Sequence, residues 1–259
     1  MLIGDEFSFL TLIAFSLVIL TAGLVHGTLG LGFPLVATPL LALGVDVRTA
    51  ILVTLLPTIA VNIISIVYGG GWRYSIGRYW PLAAYAVVGS AVGTYILIVN
   101  DPRPFKLLLA ALTLLYLGAT GFRQLRISLV SEWPRLSKLL FGLSAGFAAG
   151  TTNVMVPILI IYSLEVGLAK TAMVQVFNLC FFAGKIAQIG VFSQAGAFSY
   201  GFVGSVMPLV GVAIAGVLIG TRLRNRIPTE TYRRIVRRVL FVIAILLVGQ
   251  FAMSALSAD

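Results

Sequence analysis

The stretch Gly23-Leu-Val-His-Gly27-Thr-Leu-Gly-Leu-Gly-Phe-Pro34 interrupts a long apolar run near the start of the chain. A second stretch, Gly146-Phe-Ala-Ala-Gly150-Thr-Thr-Asn-Val-Met-Val-Pro157, repeats its spacing 123 residues later. Both contain Gly-x-x-x-Gly-Thr, with a proline seven residues after the second glycine, and Gly44 and Gly167 keep the same offset. We therefore interpret the chain as two copies of one unit. Close helix packing by the paired glycines is an alternative explanation of this part of the pattern.

The composition of the chain predicts a helical membrane protein. Hydrophobic residues make up 59% of the sequence and charged residues only 10%, whereas a soluble domain carries about 25% charged residues. Apolar runs are expected as ten helical segments at 7–29, 32–44, 48–69, 79–99, 104–121, 138–150, 154–165, 169–192, 199–220 and 234–255. Six of them approach the length of about 20 residues that crosses a bilayer. The segments 32–44, 104–121, 138–150 and 154–165 are short or marginal. The fold class expected is therefore all-α and polytopic.

Five segments fall in each copy, which predicts an inverted pair of repeats. An odd number of crossings makes the second copy enter from the opposite side, so a pseudo-two-fold axis should lie in the membrane plane. We expect a first membrane repeat at 1–121, a basic linker at 122–137 and a second repeat at 138–259. The helix breaks of the two repeats are then expected near the midplane.

Basic residues predict the orientation in the membrane. If the ten segments alternate, 14 of the 18 lysines and arginines fall on one side. The positive-inside rule makes that side cytoplasmic and both termini external, in a plasma membrane of the bacterial inner-membrane type. The net charge of +10 does not indicate nucleic-acid binding, because the aromatic residues lie in the spans and do not interleave with the arginines. The sequence leaves a homodimer open.

The two breaks are the first candidate site for a ligand. Threonine and asparagine favour N-caps and proline suits the first helical turn, so a new helix should begin after each break. A helix start presents free N–H groups and partial positive charge, which suits a small anion. The substrate-binding candidates at the breaks are Gly27, Thr28, Gly30, Gly32, Gly150, Thr151, Thr152 and Asn153.

Polar stripes in two further segments extend this site. Thr54, Thr58, Asn62 and Ser65 share one helical face, as do Gln175, Asn178 and Lys185. Polar stripes in a span usually face the interior of the bundle, where interhelical hydrogen bonding is the alternative role. Lys185 is the only charged residue deep in a span, so it either faces a cavity or snorkels to the interface. Thr54, Asn62, Gln175, Asn178 and Lys185 complete the predicted binding set.

All eight carboxylates lie in loops, termini or span ends, so no buried carboxylate is available for a proton relay, and we expect no metal, cofactor or catalytic residue. His26, the only histidine, is the candidate for proton coupling, with packing or hydrogen bonding as the alternative. The residues alone thus indicate a secondary transporter of a small anion. A non-transporting membrane subunit, an assembly factor or a permease for another small anion are the alternatives.

The two Gly-rich breaks, Gly-x-x-x-Gly-Thr in each half, make the chain resemble the TauE/SafE (TSUP) family of sulfite and organosulfonate exporters. The resemblance covers nearly the whole chain. The resemblance implies export of a small sulfur-containing anion, sulfite or an organosulfonate such as sulfoacetate. The second copy departs from the glycine-rich pattern at Thr151-Thr152-Asn153.

Overall fold

The computed structural model describes residues 7–70, 72–119, 130, 132–224 and 229–256. Over these residues the chain forms ten α-helices, which confirms the expected all-α class. In the first half they are α1 (Phe9–Leu29), α2 (Phe33–Leu41), α3 (Val47–Tyr68), α4 (Trp72–Val99) and α5 (Arg103–Ala119). In the second half they are α6 (Pro134–Thr152), α7 (Val156–Glu165), α8 (Lys170–Gln194), α9 (Tyr200–Leu223) and α10 (Thr229–Leu256).

Six of the described helices are long and apolar enough to cross a membrane, namely α1, α3, α4, α8, α9 and α10. They are the six segments whose length predicted a full crossing. The two shortest helices are α2, with 9 residues, and α7, with 10 residues. Each short helix directly follows one of the predicted breaks.

Three helices extend well beyond the predicted bounds. α4 begins at Trp72 rather than at 79, α6 runs from Pro134 to Thr152 rather than over 138–150, and α10 begins at Thr229 rather than at 234. The charged and aromatic residues at these ends lowered the apolar signal, although they are compatible with a helix. Most of the predicted linker, 122–137, lies outside the described residues, and the boundaries of the two repeats stay a prediction.

The two halves of the chain pack together because one helix of each half lies against a helix of the other half. α1 of the first half lies against α9 of the second, and α6 of the second half lies against α4 of the first. A Cβ on Gly27 would overlap the backbone of Val217, Gly220 and Thr221, and a Cβ on Gly150 that of Ser90, Gly93 and Thr94. The two helix pairs therefore use the same close glycine contacts, so packing is one role of these glycines.

These contacts expose a second internal repeat that the sequence analysis missed. α4 carries Pro81-Leu-x-x-x-Ala-x-x-Gly89-x-x-x-Gly93-Thr94, and α9 carries the same pattern from Pro208 to Thr221, 127 residues later. The offset differs from 123 because the halves differ in loop length. The repeated pattern and the repeated contacts together support the duplication of the whole unit.

α3 runs between the two ends of the bundle. Asp46 caps its start by accepting a hydrogen bond from the backbone N–H of Thr49 at 3.1 Å. From Arg48 at its first turn to Tyr68 at its last, the helix spans about 30 Å. We call the end that holds Tyr68, Lys170 and Arg224 the basic end, and the end that holds Arg48 the opposite end.

Candidate functional site

The first break separates α1 from α2 by three residues with unusual backbone geometry. Gly30 ends α1 with φ 82°, and its N–H donates to the carbonyl oxygen of His26 at 2.6 Å. Gly32 has φ 103° and precedes Phe33, the first residue of α2, with Pro34 in the first turn. Positive φ at two positions favours glycine. The prediction that a helix begins directly after this break is confirmed.

The second break has the same construction with a different residue at its turn. Asn153 ends α6 with φ 65°, and its N–H donates to Ala149 O at 2.9 Å. Gly30 and Asn153 are 123 residues apart, as are the acceptors His26 and Ala149. α7 then begins at Val156, with Pro157 in its first turn. Asparagine tolerates this left-handed conformation better than other residues that carry a Cβ.

The expected N-caps at the breaks are wrong. Gly32 and Met155 precede the two new helices, and no side-chain capping hydrogen bond forms at either residue. Thr28, Thr151 and Thr152 lie in the last turns of α1 and α6 instead, and Asn153 caps the end of α6. Their hydroxyl groups donate to carbonyl oxygens three or four residues back in their own helices. That local bond is compatible with a helix, so threonine did not mark the boundary.

A cavity of about 420 Å³ opens beside the first break, at the basic end. The wall residues that bear on ligand binding are His26, Thr28, Gly30, Ser65, Lys170 and Arg224. Lys170 and Arg224 are exposed, whereas His26 is buried. Among the described residues, those that line the cavity include two cationic side chains and no carboxylate. The cavity therefore offers an anion a positive wall.

His26 joins the break to α3. Its Nε2 atom lies 2.7 Å from Ser65 Oγ, and its Nδ1 atom accepts a hydrogen bond from Phe33 N–H at 3.3 Å. A neutral ring with its proton on Nε2 satisfies both contacts, donating to Ser65. The imidazole thus accepts a hydrogen bond from one of the free N–H groups at the start of α2, in place of a conventional N-cap side chain.

Two of the predicted residues on α8 reach the same break. Asn178 Nδ2 donates to Gly30 O at 3.1 Å and to Val174 O at 2.8 Å. Gln175 Nε2 donates to Ser65 O at 3.3 Å, while its Oε1 is buried without a partner among the described residues. Both side chains are buried. The expectation that this stripe faces the interior is confirmed for these residues.

On α3, Thr54, Thr58 and Asn62 are also buried, and Thr54 contacts the second break, whereas Ser65 contacts the first. Asn153 Nδ2 donates to Thr38 Oγ1 at 2.8 Å and to Thr54 Oγ1 at 3.0 Å. Asn62 lies between the two breaks on α3 and is fully buried, and neither of its amide atoms finds a partner in the part of the chain that the structure describes. An unpaired buried amide is costly, which makes Asn62 a candidate for ligand contact.

Lys185 lies inside the protein and does not snorkel to an interface. It is 1% exposed, and its Nζ donates to Gln188 Oε1. Gln188 Nε2 donates in turn to Ala149 O at 2.9 Å, at the last turn of α6. Gln188 was missed by the sequence analysis, although its position three residues after Lys185 on the same helix placed it within reach.

The structure therefore divides the predicted residues into two groups. His26, Gly27, Thr28, Gly30, Gln175 and Asn178 gather at the first break, and Thr54, Gly150, Thr151, Thr152, Asn153 and Lys185 gather near the second. Contacts to Ser65 and to Thr54 mark the two levels on α3, about 16 Å apart along its axis. The described hydrogen bonds give the two breaks separate sets of polar partners.

The polar residues that the sequence analysis missed at the cavity are Tyr68, Lys170, Thr171, Thr221 and Arg224. The charges of Lys170 and Arg224 were interpreted only as signals of orientation, because a single sequence does not show which helix ends meet. A second cavity, of about 500 Å³, is lined mainly by apolar side chains of α4 to α7, such as Leu108 and Phe147. It offers no cation to an anion.

The comparisons with known proteins agree with this architecture. The search of curated proteins and the search of solved structures gave no match. The family model described as "Sulfite exporter TauE/SafE" matches residues 15–247, nearly the whole chain and both breaks. The chain is therefore an integral membrane protein that belongs to the TauE/SafE sulfite exporter family.

Proposed function

We propose that this protein is a secondary transporter that exports a small sulfur-containing anion, such as sulfite or the organosulfonate sulfoacetate, by alternating access. The observation that carries the proposal is the cavity at the basic end, which leads from Lys170 and Arg224 to the break after α1. Family membership supports the class of substrate. The choice between sulfite and an organosulfonate belongs to the proposal.

The chemistry of the cavity favours an anion. Lys170 and Arg224 provide positive charge at its mouth, and Thr28 and Ser65 place hydroxyl oxygens further in. Lys170 and Thr171, in the first turn of α8, also line the cavity, and a helix start favours negative charge. A cavity of about 420 Å³ is large enough for sulfite or sulfoacetate with part of its water shell.

The position of the cavity favours export. The positive-inside rule assigns the basic end to the cytoplasm, because it belongs to the side that holds 14 of the 18 basic residues. An exporter loads its substrate from the cytoplasm, so a cavity open at that end is the loading state. Arg48 and the end of α4 lie at the opposite end, about 30 Å away along α3.

Transport by inside-out vesicles tests the proposal. We expect Lys170→Gln and Arg224→Gln each to raise the KM for sulfite about threefold or more, because each removes one charge from the path of the anion. The maximal rate should change less. Arg222→Gln is the matched control, since Arg222 is exposed on the last turn of α9 but does not line the cavity.

The salt dependence of transport distinguishes the loss of an attractive charge in these variants from a general loss of stability. The difference between wild type and the two cavity variants should shrink as ionic strength rises, because salt screens exposed charges. Uptake of neither sulfite nor sulfoacetate by the wild-type protein would contradict the substrate class. Binding of sulfite without any uptake would favour a non-transporting membrane subunit.

A further inference from the structure

The cavity at the basic end has a counterpart at the opposite end when the two repeat offsets are applied. Lys170-Thr-Ala in the first turn of α8 resembles Arg48-Thr-Ala in the first turn of α3, at an offset of 122 that is one residue shorter than the offset of the breaks. Ser65 corresponds to Gln188 at the offset of 123, and Thr221 corresponds to Thr94 at the offset of 127. The contacts support this correspondence, because Ser65 bonds to His26 and Gln188 bonds to Ala149, and those partners are also 123 residues apart.

The two ends differ in exposure. Lys170 and Thr221 are exposed at the open cavity. At the opposite end, Thr94, the counterpart of Thr221, and Gln188, the counterpart of Ser65, are fully buried. The opposite end thus holds the same set of polar positions in a closed arrangement.

Arg48 makes the contacts that close this end. Its Nη2 donates to Leu97 O and to Asn100 O, both at 2.9 Å, which ties the first turn of α3 to the end of α4. Leu97 stands where the offset of 127 places the counterpart of Arg224. We call these two hydrogen bonds the Arg48 latch. The corresponding cations at the basic end, Lys170 and Arg224, instead line an open cavity.

The closed region contains polar groups that the protein leaves unpaired. Among the described residues, Thr94 Oγ1 and Arg48 Nε are buried without a hydrogen-bond partner. Lys185 is buried with the neutral amide of Gln188 as its partner. A buried ammonium with only a neutral partner is strongly disfavoured, so an anion bound beside Lys185 would stabilise its charged form. The unpaired donors are of the kind that an oxyanion accepts from.

We infer that Lys185, Gln188 and Thr94, beside the last turn of α6, form a second oxyanion site that opens to the opposite end when the Arg48 latch is released. The site binds a sulfite or sulfonate group on its way out, with Lys185 as its cation and Gln188 holding Lys185 toward α6. This inference rests on the proposed function, and it adds the site from which the anion leaves.

Cysteine labelling from the two sides of the membrane tests the latch. The background is Cys180→Ala, since Cys180 is the only cysteine and is buried. Thr94→Cys reports the opposite end and Thr221→Cys the basic end, with a membrane-impermeant maleimide applied on each side. We expect Arg48→Gln to raise external labelling of Thr94→Cys about tenfold by removing two charged hydrogen bonds. Labelling of Thr221→Cys from the cytoplasmic side should fall in the same variant.

The matched control is Arg103→Gln. Arg103 lies at the same end, but its guanidinium is exposed and pairs with Asp101 at 2.7 Å on the surface. It should leave both labelling rates unchanged. Arg48→Lys, which keeps the charge but loses the planar fork, should give an intermediate rate and remains usable if Arg48→Gln does not fold.

Protection by anions tests the site itself. In the Arg48→Gln protein, sulfoacetate in the external medium should slow the labelling of Thr94→Cys, and Lys185→Gln should remove this protection. An unchanged external rate in Arg48→Gln, or a rise at both ends together, would overturn the latch. Protection that survives Lys185→Gln would overturn the site. Cysteine labelling measures access to Thr94 and Thr221 whatever anion is carried. If sulfite transport alone fails, the proposed function is refuted, and the labelling rates still test the Arg48 latch.

Discussion

At the scale of single residues, the two repeats place different side chains at equivalent positions of the same backbone. Gly30 and Asn153 both end a helix in the left-handed region, with φ 82° and 65°. Gly30 leaves its break open to the cavity, whereas Asn153 ties its break to Thr38 and Thr54. The difference gives one break a ligand-accessible wall and the other an internal polar contact.

Variants of Asn153 test the role of its amide contacts and of its left-handed backbone. Asn153→Gly removes the two amide hydrogen bonds but keeps a residue suited to φ 65°, whereas Asn153→Ala removes them and adds backbone strain. We expect both variants to unfold at a lower temperature than wild type. Asn153→Ala should be the less stable of the two by about 1 kcal/mol. Thermal unfolding in detergent measures the difference, and equal midpoints would show that the backbone at Asn153 is not strained.

His26 supplies the second test, on coupling. A ring protonated on both nitrogens no longer accepts from Phe33 N–H, so protonation would loosen the link between His26 and the start of α2. We expect His26→Asn to abolish proton-driven accumulation of sulfite and to leave substrate exchange, because its amide oxygen can still accept from Phe33. His26→Gln should behave alike in accumulation. Unchanged pH dependence in both variants would remove His26 from the mechanism.

The sequence predicts residue types at a site better than it predicts their partners. Gly30, Gln175 and Asn178 were expected to act together, and they do meet at one break. Lys185 was expected at the same site, but it lies with Gln188 at the other break. The helical period fixes which residues share a face, whereas the neighbouring helix depends on tertiary packing that one sequence does not show.

At the scale of elements, close packing of small residues holds together the helix pairs that join the two halves, α1 with α9 and α4 with α6. Gly23 and Gly27 on α1 face Gly216 and Gly220 on α9, where a Cβ would meet backbone atoms. In a bilayer the helices gain little from hydrophobic burial, so such backbone approach carries much of their association. The same arrangement recurs between α4 and α6.

Alanine substitutions test this packing. Gly27→Ala and Gly150→Ala should each force a helix pair apart, because the added methyl group would overlap backbone that has no rotamer to change. We expect a loss of stability of about 1–3 kcal/mol, seen as a lower unfolding temperature in detergent. Gly190→Ala is the control, since a Cβ at this position on α8 meets nothing within 4 Å. It should be neutral or slightly stabilising, as alanine favours a helix.

Elements were predictable from the sequence where composition decides them. The six long spans follow from length and apolar content, and the short helices follow from glycine and proline at the breaks. The helix ends at Thr28 and Thr152 were not predictable in the same way, because a threonine hydroxyl bonds within a helix as well as at its start.

At the scale of the whole molecule, the two ends of the bundle hold equivalent positions in different states. The basic end has an open cavity beside Lys170, and the opposite end is closed around Thr94 and Gln188. A chain built from two inverted repeats can exchange these states, since each half can take the conformation of the other. Under the alternating access that we propose, this asymmetry corresponds to one half of a transport cycle.

That orientation is the last prediction. In the Cys180→Ala background, Arg224→Cys should react with an impermeant maleimide only in inside-out vesicles, because the basic loops stay in the cytoplasm. Tyr200→Cys should react only from outside, since Tyr200 is exposed at the start of α9, one helix length of about 35 Å from Arg224. Lys138→Cys, in the first turns of α6, should react from the same side of the membrane as Arg224→Cys. If the second half enters the membrane opposite to the first, Asn100→Cys at the end of α4 must follow Tyr200→Cys. External labelling of Arg224→Cys would reverse the molecule and make the open cavity a site of uptake.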